Sequence, residues 1–123
     1  MTVRRFVVPM TVDASGDGTF YTPPIYGELV SFRYVKDDFT DGIDFVVTLE
    51  TTGETLWAED AVNASASRYP RAATHSTAGV AALYASGGTG VLDRIAIGGD
   101  RIKIVVDGAG NATSGTLHVL IDG

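Results

Sequence analysis

The chain has 123 residues, of which 45% are apolar and 20% are charged, and its formal net charge is −6 at pH 7. This length fits one domain spanning residues 1–123, because domains cluster at about 100–150 residues and a chain of this size buries roughly two-thirds of its unfolded surface. Disordered chains combine low apolar content with high net charge. This chain has neither property, so we expect it to fold. No apolar run approaches the ~20 residues that span a bilayer, which argues against membrane insertion.

The composition excludes several kinds of site. The chain has no cysteine, which removes disulfides, cysteine-ligated zinc and thiol catalysis. Its acidic balance argues against non-specific nucleic-acid binding, which needs Lys and Arg to displace counterions from phosphates. Arginines outnumber lysines seven to two, a bias that suits bidentate pairing at a protein surface. Pro9 interrupts the N-terminal apolar stretch and no small-residue cleavage site follows it, so we expect no secretory signal.

The first half of the chain alternates between apolar and polar residues, which predicts antiparallel strands. Pro9 marks the first strand as an edge strand or as irregularly paired. The Asp41-Gly42 step is a hairpin signal, and we expect the strands around it to form a three-stranded antiparallel meander with Trp57 in the core. The predicted strands are residues 2–12, 19–22, 26–36, 43–51 and 54–59.

The middle of the chain, residues 60–90, has a different composition. It is rich in Ala and Ser and ends in a glycine cluster, which predicts a long irregular loop. Its alanines allow a short helix over residues 78–85, although Gly79 weakens that helix. Long irregular excursions in compact domains usually have a function. The segment carries Tyr69, Leu83 and Tyr84, so we expect it to be ordered against its own sheet or against a neighbouring subunit.

Regular strands resume after residue 90. Alternating apolar residues predict strands over residues 91–97, 100–107 and 115–121, with Gly-rich turns between them. Seven or eight short strands with turns every ~10 residues are typical of a sandwich or a small barrel. The sequence therefore predicts an all-β fold: an antiparallel β-sandwich or jelly-roll-like single domain with a long central loop.

No residue pattern predicts catalysis or a bound cofactor. The two histidines, His75 and His118, lie near no Gly-x-Ser-x-Gly elbow, and His118 is expected to face opposite to the apolar residues beside it. Gly87, Gly88 and Gly90 are not followed by the Lys-Ser/Thr of a phosphate loop. We therefore predict no catalytic residue, no cofactor and no metal ligand, and an enzyme is not expected.

Four carboxylates cluster at the predicted turn over residues 37–44. Such oxygens can bind calcium, but the EF-hand spacing is absent. Asp and Gly are also the residues that a hairpin turn requires. Turn chemistry is the preferred interpretation, and cation binding stays open. The carboxylates belong to Asp37, Asp38, Asp41 and Asp44.

The strongest interaction signal is the stretch Ala66–His75. Arg68, Tyr69 and Arg71 flank Pro70, which favours extended backbone for the residue before it. Tyr and Arg are enriched at protein interfaces, because each offers contact area and directional hydrogen bonds. We predict that Arg68, Tyr69 and Arg71 form an interface. The alternative is a surface loop with one tyrosine packed onto the sheet.

Several segments resemble small all-β structural proteins of tailed bacteriophages. The resemblance rests on Tyr26–Val35, on Phe39–Phe45, on Thr52–Trp57, and on Asp100–Val106 with the later Gly-Thr-Leu-His-Val. It implies a virion component, assembled in the host cytoplasm, that binds the major capsid protein or other virion proteins. A capsid decoration or cement protein fits best, since many copies multiply weak contacts into stable occupancy.

Other functions remain alternatives to capsid decoration. A neck or tail component at the head–tail connection would have a similar composition. A carbohydrate- or receptor-binding β-module is a further alternative. We expect a homo-oligomer, with a trimer favoured. We do not expect direct contact with nucleic acid or with a membrane.

Overall fold

The computed structural model describes residues 2–123, and these residues form antiparallel β-strands and no helix. The all-β antiparallel class predicted from the sequence is therefore confirmed, and the short helix predicted over residues 78–85 is wrong. No helix that could cross a membrane occurs within residues 2–123. The strands are β1 (Val3–Thr11), β2 (Gly18–Tyr21), β3 (Ile25–Lys36), β4 (Ile43–Leu49), β5 (Thr55–Val62), β6 (Ala66–Arg68), β7 (Ala72–Ala73), β8 (Leu92–Asp93), β9 (Ile95–Asp100), β10 (Ile102–Asp107) and β11 (Ser114–Asp122).

The strands form two main sheets and one small ribbon. The first sheet has the order β1-β11-β3-β6, with β9 pairing the N-terminal part of β3, and the second has the order β2-β10-β4-β5. The ribbon is the pair β7-β8. Register shifts interrupt the β3–β11 and β3–β9 ladders of the first sheet. Apart from β7, β8 and β9, pairing is nested: β1 with β11, β2 with β10, β3 with β6, and β4 with β5.

One hydrophobic core lies between the inner faces of the two main sheets. Alternate residues of β10 and of β11 point into it, as their sequence period predicts. An aromatic cluster lies inside this core: Trp57 stacks on Phe45 with ring centroids 4.8 Å apart, and Tyr34 meets Phe45 edge-on at 4.9 Å. The predicted core position of Trp57 is thus confirmed.

The predicted three-stranded meander is wrong at its first turn. β4 pairs with β5 as expected, but β3 belongs to the other sheet. The reason is Phe39, which lies within the predicted turn and is nevertheless buried in the core against Tyr34. A connection that buries a large side chain crosses from one sheet to the other over the core instead of closing a tight hairpin. The Asp41-Gly42 step provides only the last bend, with a positive φ at Gly42.

The segment 60–90 is also more regular than an irregular loop. Its first residues complete β5, and β6 then pairs with β3 in the first sheet. The later residues form a projecting ribbon that begins with the β7–β8 pair and is closed by isolated bridges, His75 with Ala81 and Leu83 with Gly90. Most of this segment is therefore strand-paired. Its sequence did not predict strands, because its apolar residues do not alternate with polar ones.

Candidate functional site

The ribbon spanning residues 72–92, here called the arm, is the most unusual surface of the described chain. None of its residues is buried, and none carries a charged Lys, Arg, Asp or Glu side chain. Four large apolar side chains point into solvent: Val80 (66% exposed), Leu83 (47%), Tyr84 (76%) and Leu92 (59%). Contiguous exposed apolar surface on a folded protein marks an interaction site more often than a chance feature.

Backbone hydrogen bonds hold the arm together in place of a core. Three of them form a cycle: Thr74 N–H donates to Val91 O (2.9 Å), Val91 N–H to Ala82 O (3.0 Å), and Ala82 N–H to Thr74 O (2.8 Å). The Ser76 hydroxyl accepts from the backbone N–H groups of Ala78 and Val80 and so closes the first tip. The arm is therefore an ordered platform, and a preordered platform loses less entropy on binding than a flexible loop.

The predicted interface residue Arg68 joins the two main sheets at the base of the arm. It lies on β6 and forms a bidentate ion pair with Glu59 on β5: Nε donates to Oε1 (2.7 Å) and Nη2 to Oε2 (2.8 Å). The indole N–H of Trp57 donates to the same carboxylate at 3.1 Å. These donors, Arg68 first and Trp57 second, lower the pKa of Glu59 to about 2. Arg68 therefore has a partner within the chain.

Tyr69 and Arg71, the other two predicted interface residues, differ in their exposure. Tyr69 is 64% exposed. Arg71 is half-buried, and its Nη1 donates to the backbone carbonyl oxygens of Val30 (3.0 Å) and Pro70 (2.8 Å). The structure thus places Tyr69 between two arginines whose side chains are held by the chain itself. Their role at an interface stays a prediction.

Charge is strongly uneven along the sandwich. The connections β1–β2, β3–β4 and β10–β11 meet at one end, where Gly16 bonds to Ala109 and Thr40 N–H donates to Ala109 O. Among the described residues of these connections and the strand residues beside them, the only basic side chain is that of Lys36, which pairs with Asp41. This acidic end accounts for the net charge, because the remaining acidic and basic side chains balance. Its carboxylates belong to Asp13, Asp17, Asp37, Asp38, Asp41, Asp44 and Asp107.

The four carboxylates that could have bound calcium serve separate partners. Asp38 accepts from the backbone N–H of Ser114 at 2.5 Å, and Asp44 accepts from that of Ala61 at 3.0 Å. Asp41 pairs with Lys36, and Asp37 lies 3.5 Å from the Thr116 hydroxyl. No group of three or more metal-ligating side chains occurs in residues 2–123. This arrangement agrees with the turn-chemistry interpretation.

The two histidines are far apart in the fold. His118 lies on the outer face of β11, opposite Leu117 and Val119 as predicted, and its Nδ1 is 3.3 Å from Nη1 of Arg5. His75 is exposed on the arm, where its backbone bridges Ala81. Neither histidine forms a hydrogen bond with a Ser, Asp or Glu side chain within residues 2–123.

A shallow cleft of about 280 Å³, with a mixed polar and apolar lining, lies at the end of the sandwich opposite the acidic end. It is bounded by the β4–β5 turn and by β9. The Asp100 carboxylate beside it is already engaged, because it accepts from the backbone N–H and the hydroxyl of Thr51. Tyr26, which is 72% exposed, lies against Gly99 at its rim. The lining residues are Leu49, Thr51, Thr52, Glu54, Ala96, Gly98, Gly99 and Asp100.

Comparison with known proteins does not identify the chain. No family model matches it, and no curated protein or solved structure matches it significantly. Functional inference therefore rests on the residues and their geometry.

Sequence analysis singled out residues 60–90, with Leu83 and Tyr84, as an ordered and functional excursion, but it missed the charge-free, strand-paired ribbon that residues 72–92 form. The available signal was a run of 21 residues, 72–92, without Lys, Arg, Asp or Glu in a chain that is 20% charged. No pattern in the sequence predicted the pairing of Arg68 with Glu59. The two side chains meet across the two sheets, because β6 lies in the first sheet and β5 in the second.

Proposed function

We propose that this chain is a non-enzymatic structural protein of a tailed-phage particle, a decoration or cement protein that binds the major capsid protein lattice. The observation that carries the proposal is Tyr69, which is 64% exposed between two arginines that the chain itself holds, on a β-domain whose described residues include no group of three or more metal-ligating side chains. Such a molecule offers shape and adhesive surface, which is what a capsid-binding protein needs. The resemblance of its strand and turn segments to phage structural proteins points in the same direction.

We further propose that the sandwich is a jelly roll. Support comes from the nested pairing of the eight main strands, first with last and inward to β4 with β5. Winding a long antiparallel hairpin around a core produces this nesting, and jelly rolls are common among viral capsid and lectin domains. The topology is therefore compatible with a virion protein and equally with a lectin-like module.

In this proposal the base of the arm contacts the capsid through Arg68, Tyr69 and Arg71. Glu59 holds Arg68, and carbonyl oxygens hold Arg71. Because both arginines are fixed before binding, they lose little side-chain entropy when they contact a partner. Tyrosine and arginine are the residue types that most often dominate binding energy at interfaces.

The direct test mixes the purified protein with undecorated capsids at micromolar concentration. We expect binding and a raised thermal resistance of the capsids. Tyr69→Ala should weaken binding by about tenfold or more, as is usual for a tyrosine anchor. Tyr26→Ala is the matched control, because Tyr26 is similarly exposed, at 72% against 64% for Tyr69, but lies outside the arm and its base. This variant should bind like the parent protein.

Two results would contradict the capsid proposal. The first is the absence of binding to undecorated capsids. The second is a copy number per particle far below that of the major capsid protein, which would favour the alternative position in the neck or tail.

A carbohydrate-binding module is the second candidate, and the cleft with Tyr26 at its rim is the observation that favours it. The exposed Tyr26 ring lies against Gly99, which lines the cleft together with Thr52 and Glu54, and an aromatic ring beside polar groups is a surface that a sugar can contact. Screening the protein on a glycan array tests this function. Specific binding that is lost in Tyr26→Ala would support it, and a blank array would remove it.

A further inference from the structure

The tip of the arm carries a surface that is separate from the base considered above. Its two turns bring Val80, Leu83 and Tyr84 into solvent on a backbone fixed by hydrogen bonds. Neither turn contains a charged side chain, and the charge-free run continues through residue 92. Depletion of charge together with an exposed tyrosine is typical of the buried centre of an interface.

The size of the arm matches what a specific protein contact requires. A standard interface uses about 20–30 residues from each partner, and the arm supplies up to 21, the run 72–92. An exposed apolar surface of this extent favours association unless another molecule covers it. The partner that is always present where the chain is made is another copy of the same chain.

Within the described chain, the arm itself is the surface best suited to cover a second arm. The large apolar side chains exposed outside the arm and its base are spread over four strands, β1 to β4. The cleft between the β4–β5 turn and β9 is shallow, and its lining mixes polar and apolar residues. Contact through any surface near the acidic end would bring like charges together, whereas two charge-free arms meet without that repulsion.

We infer that the arm is a self-association surface, and that its occupant is the arm of a second copy. The arms meet around a symmetry axis, as in most soluble homo-oligomers, with Leu83 and Tyr84 at the centre of the contact. Because the contact contains no ion pair, added salt should not weaken it, and screening of the acidic ends should favour it slightly.

Sedimentation of the purified protein tests this inference without any capsid. We expect a discrete dimer or trimer at micromolar concentration, with the same or tighter association at high salt. Tyr84→Ser should raise the dissociation constant by about tenfold or more. Tyr26→Ser is the matched control, since the two tyrosines are 76% and 72% exposed, and it should associate like the parent protein.

Cysteine cross-linking gives an independent readout, because the natural chain contains no cysteine. Ser86→Cys places one thiol at the arm tip, and mild oxidation should convert it into a covalent dimer. Thr52→Cys, in the β4–β5 turn, should stay largely uncoupled. Circular dichroism and thermal unfolding of each variant verify that it folds.

Three outcomes would overturn the inference: a parent protein that stays monomeric, an oligomer that Tyr84→Ser leaves intact, or equal cross-linking at both cysteine positions. Each is measured on the isolated protein. Failure here therefore leaves the capsid proposal standing, and absence of capsid binding leaves self-association standing.

Discussion

Tyr34 is the residue at which the core departs most from ordinary packing. Its side chain is fully buried between Phe39 and Phe45, and no group within residues 2–123 forms a hydrogen bond with its hydroxyl. Burial, together with the nearby charges of Asp37 and Asp41, raises the pKa of Tyr34 to about 12. The phenol is therefore neutral at every ordinary pH, and the folded state bears the cost of an unsatisfied hydroxyl.

Replacing this tyrosine should stabilise the protein. Tyr34→Phe keeps the ring and removes the unsatisfied hydroxyl, so we expect the free energy of unfolding to rise by about 1 kcal/mol. Urea unfolding measures the change. Tyr69→Phe, at an exposed tyrosine, should alter stability little. A clear loss of stability in Tyr34→Phe would show that its hydroxyl has a partner in solution, such as a buried water.

At the scale of elements, the ion pair of Arg68 with Glu59 joins strands that lie in different sheets. β5 and β6 are consecutive in the chain, but β5 pairs with β4 and β6 with β3. The pair is about one-third exposed on each side chain, 38% for Arg68 and 34% for Glu59. Its net contribution is therefore that of a partly screened, bidentate surface pair, about 1 kcal/mol.

The lowered pKa of Glu59 predicts how this contribution depends on pH. Its pKa is about 2 in the folded state and 4.5 without partners, so the stabilisation is complete above about pH 4.5 and is lost as pH falls towards 2. Glu59→Gln should therefore be less stable than the parent by about 1 kcal/mol at neutral pH. The two proteins should converge in acid.

Thermal unfolding across that pH range measures the difference. Glu54→Gln, at an exposed turn position, is the control and should follow the parent at each pH. A constant difference between Glu59→Gln and the parent at every pH would contradict the assigned ion pair.

At the scale of the whole molecule, the acidic end is a localised source of repulsion. Asp107 lies opposite Asp44 across the β4–β10 ladder. A hydrogen bond with Asp17, followed by the charges of Asp17 and Asp44, raises the pKa of Asp107. The stability gained from protonated Asp107 is complete in acid and is lost as pH rises through the raised pKa.

Removing this charge should stabilise the protein at neutral pH. We expect Asp107→Asn to unfold at higher urea concentration than the parent at pH 7, with a difference that shrinks in acid and in high salt. Asp60→Asn, at an exposed aspartate on β5, should change stability less. Equal stability of Asp107→Asn and the parent at low salt would show that the acidic end carries no significant strain.

The amino-acid sequence alone determined the class of fold and most of its strands. Alternation along β10 and β11 identified their inward faces, because the side chains of a strand alternate between two faces whatever the strand pairs with. The same local signals placed Trp57 in the core and directed attention to Arg68, Tyr69 and Arg71. These features depend on neighbours in the chain, which a sequence displays directly.

Only the tertiary structure decided which strands pair, and with them the shape of the candidate site. The local signal at Asp41-Gly42 favoured a hairpin, but burial of Phe39 directed β3 and β4 into different sheets. The partner of Arg68, the acidic end and the arm likewise depend on residues far apart in the chain. Such contacts depend on the packing of the whole core, which no local pattern of residues encodes.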